Sequence, residues 1–140
     1  THREPKLSLL QTADKAVLDD GNLAAKGIRA DKVLDLVGPR YLCDSLKCTT
    51  HGGIVCQTGI LGGVFTLNNF DPIKDIPNGV YLTGFFSNYP TEQVIQDLFD
   101  FLGKHHLKPM YGDTYPFAQI REACEALDSG KVNGKIVVTL

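Results

Sequence analysis

Short apolar runs rich in β-branched residues alternate along this chain with stretches whose apolar side chains recur at helical spacing. That alternation limits the fold more than any other feature. The strand-like runs lie at 16–18, 32–37, 54–58, 80–86, 109–115 and 135–140. Between them, Pro5 suits a first helical turn followed by Leu7, Leu9 and Leu10, and residues 22–28 predict two turns weakened by Gly27. Leu42, Cys43 and Leu46 mark a helix over 40–50 that breaks at His51-Gly52-Gly53. Thr91 is the cap of a clear helix with Val94, Ile95, Leu98, Phe99 and Leu102 on one face. A last helix runs from Phe117 to Leu127 and stops at Ser129-Gly130. Residues 64–79 read as a loop. Strands that are apolar throughout are buried on both faces, so the expected architecture is α/β, a mostly parallel sheet wrapped by helices.

Composition narrows the classes of function. The formal net charge is −2, from 14 Lys and Arg against 16 Asp and Glu, which gives no electrostatic basis for binding nucleic acid or an anionic membrane. No apolar run reaches the ~18 residues of a membrane span, and the charged residues 1–6 precede no signal-peptide core. A cytoplasmic chain is expected on those grounds, and its abrupt start suggests a piece of something longer. Four cysteines, Cys43, Cys48, Cys56 and Cys124, form no CxxC pair, and the four histidines show no ligand spacing. Reduced thiols and no metal site are expected.

In open parallel sheets, ligands gather beyond the carboxyl ends of the strands. Three such ends carry suggestive chemistry: Val37-Gly38, the glycine-rich stretch from Thr58 to Gly63, and Phe85-Phe86-Ser87. Glycine there lets main-chain groups approach a flat ligand, and Thr58 adds a hydroxyl. The same glycines also serve tight turns. Asp19 and Asp35 follow strands and read as turn or capping groups rather than acids.

Three blocks carry a family resemblance: Ala30-Asp31-Lys32-Val33-Leu34-Asp35-Leu36-Val37-Gly38, Gly52-Gly53-Ile54-Val55-Cys56-Gln57-Thr58-Gly59, and Ser129-Gly130-Lys131-Val132-Asn133-Gly134-Lys135-Ile136-Val137-Val138. In this order the chain resembles the medium-chain dehydrogenase/reductase superfamily, in its zinc-independent NADPH:quinone oxidoreductase-like branch. The resemblance implies a partial Rossmann-type doubly wound sheet that lacks its first strands and its GxGxxG turn, a motif found nowhere in the sequence. Residues 1–106 would be the C-terminal part of the cofactor-binding domain, and 107–140 the segment that rejoins the catalytic domain.

Carried over residue by residue, the resemblance gives Thr1 and Arg3 to the 2′-phosphate of NADPH, with NADH as the alternative cofactor. Arginine suits a phosphate because its planar fork pairs with two oxygens. Val37 and Gly38 match the loop beside the nicotinamide ribose, and Thr58, Gly59 and Ile60 the loop under the ring. Phe85 and Phe86 match a segment at the carboxamide, though packing at a strand end would explain them equally. Asn133 and Lys135 match a late position that reaches the cofactor phosphates. No catalytic residue is assigned. Asp20 stands where many relatives carry an adenine-side Tyr, and the stretch from Gly21 to Ala30 is shorter than usual.

The implied activity is hydride transfer from NADPH to a quinone or conjugated carbonyl, with the isolated chain inactive and its cofactor binding weak or absent. A homodimer through the strand at 80–86 is implied too. The alternative is a noncatalytic α/β module for dimerisation or nucleotide binding. Without the first strands, the run at 16–18 is expected to slide beside the run at 33–37, another chain to fill the gap, or residues 1–30 to lack order.

Overall fold

Three parallel strands, β1 (Ala30–Asp35), β2 (Thr49–Gln57) and β3 (Tyr81–Gly84), pair in that order with β2 in the centre. The computed structural model describes Thr1 and residues 3–140, which divide into two units, Thr1–Asn88 and Tyr89–Leu140.

In the first unit the register places Val33, Val55 and Leu82 in one row across the sheet. Helix α1 (Leu42–Cys48) lays Leu42 and Leu46, one turn apart, on the same surface. Leu42, Leu46 and Val55 form the buried centre, with Val33, Leu67, Phe70, Ile76, Val80 and Leu82 packed around it. Within the segment read as a loop, Asp71 caps the single turn α2 (Pro72–Asp75) by accepting from the Ile73 N–H at 3.0 Å. Thr49 starts β2 directly after α1. Gly52 then takes a φ of +83°, and the β1–β2 register shifts between Ala30 and Lys32.

The N-terminal segment corrects two expectations. Residues 16–18 are not a strand and do not slide beside β1, which among the described residues pairs only with β2. Instead the run meets the first residue: the Thr1 amino group donates to the Val17 carbonyl at 3.1 Å, and the Asp19 N–H donates to the Thr1 carbonyl at 2.6 Å. The two helical turns expected over 22–28 reduce to a turn at 23–27, because Gly27 adopts a φ of +74° that ends any helix there. The stretch 4–9 is helical, but as a 3₁₀ helix (Glu4–Leu9).

In the second unit, helix α3 (Glu92–Lys104) begins as expected, with the Thr91 hydroxyl accepting from the Val94 N–H at 3.3 Å. Strands β4 (Tyr111–Pro116) and β5 (Lys135–Thr139) pair in parallel. Helix α4 (Ile120–Asp128) joins them and buries Ala123. Both sheets are parallel and both contain a strand–helix–strand crossover, so the α/β reading holds. Among the described residues no helix is long and apolar enough to cross a membrane.

Candidate functional site

The loops that leave β1 and β2 run side by side at one end of the first sheet, bonded main chain to main chain. The Asp35 carbonyl accepts from Thr58 N–H at 2.9 Å and from Gly59 N–H at 3.2 Å. One residue further, the Leu36 carbonyl accepts from Leu61 N–H at 3.0 Å, and the Val37 carbonyl from Gly62 N–H at 2.9 Å. The third strand end joins the pattern through Phe85 N–H, which donates to the Gln57 carbonyl at 3.0 Å.

Such close passage requires glycine. Gly38 is buried with a φ of +87°, and a Cβ there would collide with the Gly59 carbonyl oxygen. The Gln57 side-chain amide donates to that same oxygen at 2.7 Å. Thr58 sits half-buried at the loop's start, and its hydroxyl makes no hydrogen bond among the described residues. Ile60 is exposed. A small cavity of about 140 Å³ opens beside the pair of loops, lined by Val37, Arg40, Tyr41, Leu61 and Gly62.

Asp35 holds the first loop in place. Its carboxylate is 4% exposed and accepts three bonds: from Val37 N–H at 2.9 Å, from Gly38 N–H at 2.8 Å, and from the Ser45 hydroxyl of α1 at 2.8 Å. Among the described residues no cationic side chain lies within ion-pair distance of it. The sequence identified Asp35 as a turn or capping group. Its link to Ser45, ten residues on, becomes visible only when α1 is folded against the sheet. The Arg40–Tyr41 cavity was not foreseen either, since it depends on how closely the two loops approach.

The structure therefore brings Val37, Gly38, Thr58, Gly59 and Ile60 together. Phe85 and Phe86 follow β3 and are exposed, at 61% and 83%, so strand-end core packing does not explain them. Thr1 and Arg3 lie on the segment bonded to 17–19, with the Thr1 hydroxyl accepting from Arg3 N–H at 3.3 Å. Asn133 and Lys135 belong to the second unit. The Asn133 side-chain oxygen is buried without a partner, and Lys135 N–H donates to the Met110 carbonyl at 2.8 Å.

Ionisable groups elsewhere in the first unit have structural explanations. The Lys26 ammonium, 2.9 Å from Asp20, holds that carboxyl below its usual range. Burial pushes the Cys48 thiol up, and the nearby Asp44 charge adds to the effect. All four cysteines are free. Among the described residues, which do not include His2, no group of three ligating side chains could hold a metal ion.

The chain matches the profile of the zinc-binding dehydrogenases over residues 11–138. It is 25% identical over 117 residues to a probable mitochondrial zinc-binding oxidoreductase of Arthroderma benhamiae, covering 81% of this chain and 32% of that protein. Among solved structures, it superposes on an NAD-dependent alcohol dehydrogenase with a TM-score of 0.75 at 21% identity, over 99% of this chain and 42% of the other. The quinone oxidoreductase of Thermus thermophilus, solved also with NADPH, gives 0.66 at 24% identity, over 99% and 47%. That of Coxiella burnetii gives 0.68 at 17%, over 98% and 43%. This chain thus spans about a third of the matched relative and less than half of each of these structures.

Proposed function

The chain belongs to the zinc-binding dehydrogenase family of the medium-chain dehydrogenase/reductase superfamily, and from that membership we propose that it is the cofactor-domain part of an oxidoreductase transferring a hydride from NADPH to a quinone or conjugated carbonyl. One observation carries the reading. Asp35 and its neighbours bond the loops after β1 and β2 edge to edge, so that Val37, Gly38, Thr58, Gly59 and Ile60 line one continuous rim at the carboxyl end of a parallel sheet. Ligands of such sheets bind there. The quinone oxidoreductase that was solved with NADPH supports the choice of cofactor and acceptor.

The residues present suit the nicotinamide end of that cofactor. Two main-chain loops offer a close, flat approach, the free Thr58 hydroxyl can bond a ribose or carboxamide, and the exposed Ile60 side chain can pack against a ring. The bound cofactor supplies the hydride; the chain's own part is to hold and orient its ring. The pyrophosphate end lacks a glycine-rich turn within these residues, so binding to this chain by itself is weak. We assign the 2′-phosphate to Arg3 and Thr1, and place a homodimer contact along β3.

The test is a titration of NADPH into isotope-labelled chain, followed by amide NMR shifts, which register weak binding. Movement concentrated at Val37, Gly38, Thr58, Gly59 and Ile60 is the expected result. Undisturbed loop amides at high NADPH would overturn the assignment.

A further inference from the structure

We propose that Asp35 is a positioning residue whose buried carboxylate, bonded to the first loop and to α1, biases the site toward the oxidised, cationic nicotinamide ring over the reduced, neutral one. The inference rests on the cofactor reading given above and extends it to the electrical character of the site.

A carboxylate with so little exposure is costly unless its oxygens are satisfied. Here both are: Oδ1 accepts from Val37 and Gly38 N–H, and Oδ2 accepts from the Ser45 hydroxyl. All three partners donate, so both oxygens act as acceptors. None of the three brings a full positive charge. The hydrogen bonds thus satisfy the oxygens without neutralising the anion.

The position of this charge matters because the residues it bonds are themselves the rim. Val37 and Gly38 donate directly to its side chain, while Thr58 and Gly59 donate to its carbonyl. A nicotinamide ring seated on these four residues would rest on the same main chain that the Asp35 anion bonds. Removing a hydride from the reduced ring takes two electrons and a proton and leaves the ring with one positive charge, which a fixed anion stabilises. The reduced ring carries no charge and gains nothing comparable. The site would therefore hold the product of hydride donation more tightly than a neutral clamp of the same shape. Geometry and charge both come from one side chain, and the test must separate them.

Oxidised and reduced nicotinamide mononucleotide form a suitable pair of probes, since they share ribose and phosphate and differ in ring charge. Their dissociation constants are measured by amide NMR on the wild-type chain, Asp35→Asn and Ser45→Ala. The wild-type chain is expected to bind the oxidised form more tightly. Asp35→Asn, nearly isosteric, is expected to shift the ratio about tenfold toward the reduced form. Ser45→Ala removes one hydrogen bond but keeps the charge, so its ratio stays within about twofold of wild type. An unchanged ratio in Asp35→Asn overturns the proposal, as does an equal shift in Ser45→Ala, which would make loop geometry the cause. Should Asp35→Asn fail to fold, the wild-type ratio decides: equal binding, or tighter binding of the reduced form, overturns the proposal. Probes that move no loop amide overturn the cofactor reading itself, and this inference with it.

Discussion

Gly59 passes so close to Leu36 that a side chain at 59 would be built into the Leu36 main chain, its Cβ lying 2.6 Å from both the carbonyl carbon and Cα. The contact lies where the loops after β1 and β2 cross, so the backbone of one loop would have to yield. Gly59→Ala should lose about 2 kcal/mol of stability or more in urea denaturation. Gly84, in β3, has open space around its missing Cβ and an ordinary φ. Gly84→Ala should be neutral or gain a few tenths of a kcal/mol, because alanine restricts the unfolded chain. Equal losses at both positions would mean that the loops do not cross as described.

Asp44 ties the N-terminal segment to α1. Its carboxylate accepts from Leu23 N–H at 2.6 Å and from Ala24 N–H at 3.2 Å, which anchors the turn at 23–27. Asp44→Ala leaves two amides without partners and should cost ~1–3 kcal/mol. Hydrogen exchange should quicken first at Leu23 and Ala24, while the amides of β2 keep their protection relative to global stability. Uniform loss of protection would place the anchor elsewhere.

The central elements were legible because local signals and tertiary needs agree in them. Thr91 caps the helix that its sequence announces, and the apolar run 32–37 becomes β1 within two residues of its expected limits, whereas β2 starts at Thr49, five residues before the run 54–58 and inside the stretch expected to be helical. Disagreement begins where a run needs a partner from outside itself. Residues 16–18 have the composition of a strand, yet a strand exists only by pairing, and these bond to Thr1. At the candidate site the glycines were readable one at a time. What was not readable is that Asp35, Gly38 and Gly59 form one clamp, since their contacts join segments separated by a helix and a strand.

Cys48 provides a prediction about pH. Burial raises its thiol above the ordinary value of 9.0 in the folded chain. Between that value and the folded one, the unfolded chain gives up a proton that the native chain retains, so stability must fall as pH rises through this window. Below it, both states keep the thiol protonated and this contribution is flat. Urea denaturation from pH 7 to 10, comparing wild type with Cys48→Ala, should show an alkaline decline that is smaller in the variant. Alkylation with iodoacetamide near neutral pH should reach the exposed Cys124 first and Cys48 last, each read by mass spectrometry. Early modification of Cys48 would contradict its burial.

Helix α3 is amphipathic by sequence, yet none of its residues is buried, and Val94, Leu98 and Phe99 stand 54%, 53% and 63% exposed. A single exposed apolar residue is ordinary on a protein surface, whereas a stripe along thirteen residues is not. Water on such a stripe is displaced readily by an apolar dye. The chain should therefore raise the fluorescence of anilinonaphthalene sulfonate while fully folded by circular dichroism. Leu98→Glu should cut that signal severalfold and change the unfolding free energy by less than about 0.5 kcal/mol, because the side chain it replaces is already half in water. A surface position outside the stripe, Asp97→Ser, serves as the control and should leave the dye signal unchanged. A loss of about 2 kcal/mol in Leu98→Glu would show instead that Leu98 is packed in solution, since burying a carboxylate without a partner carries a penalty of that order or more.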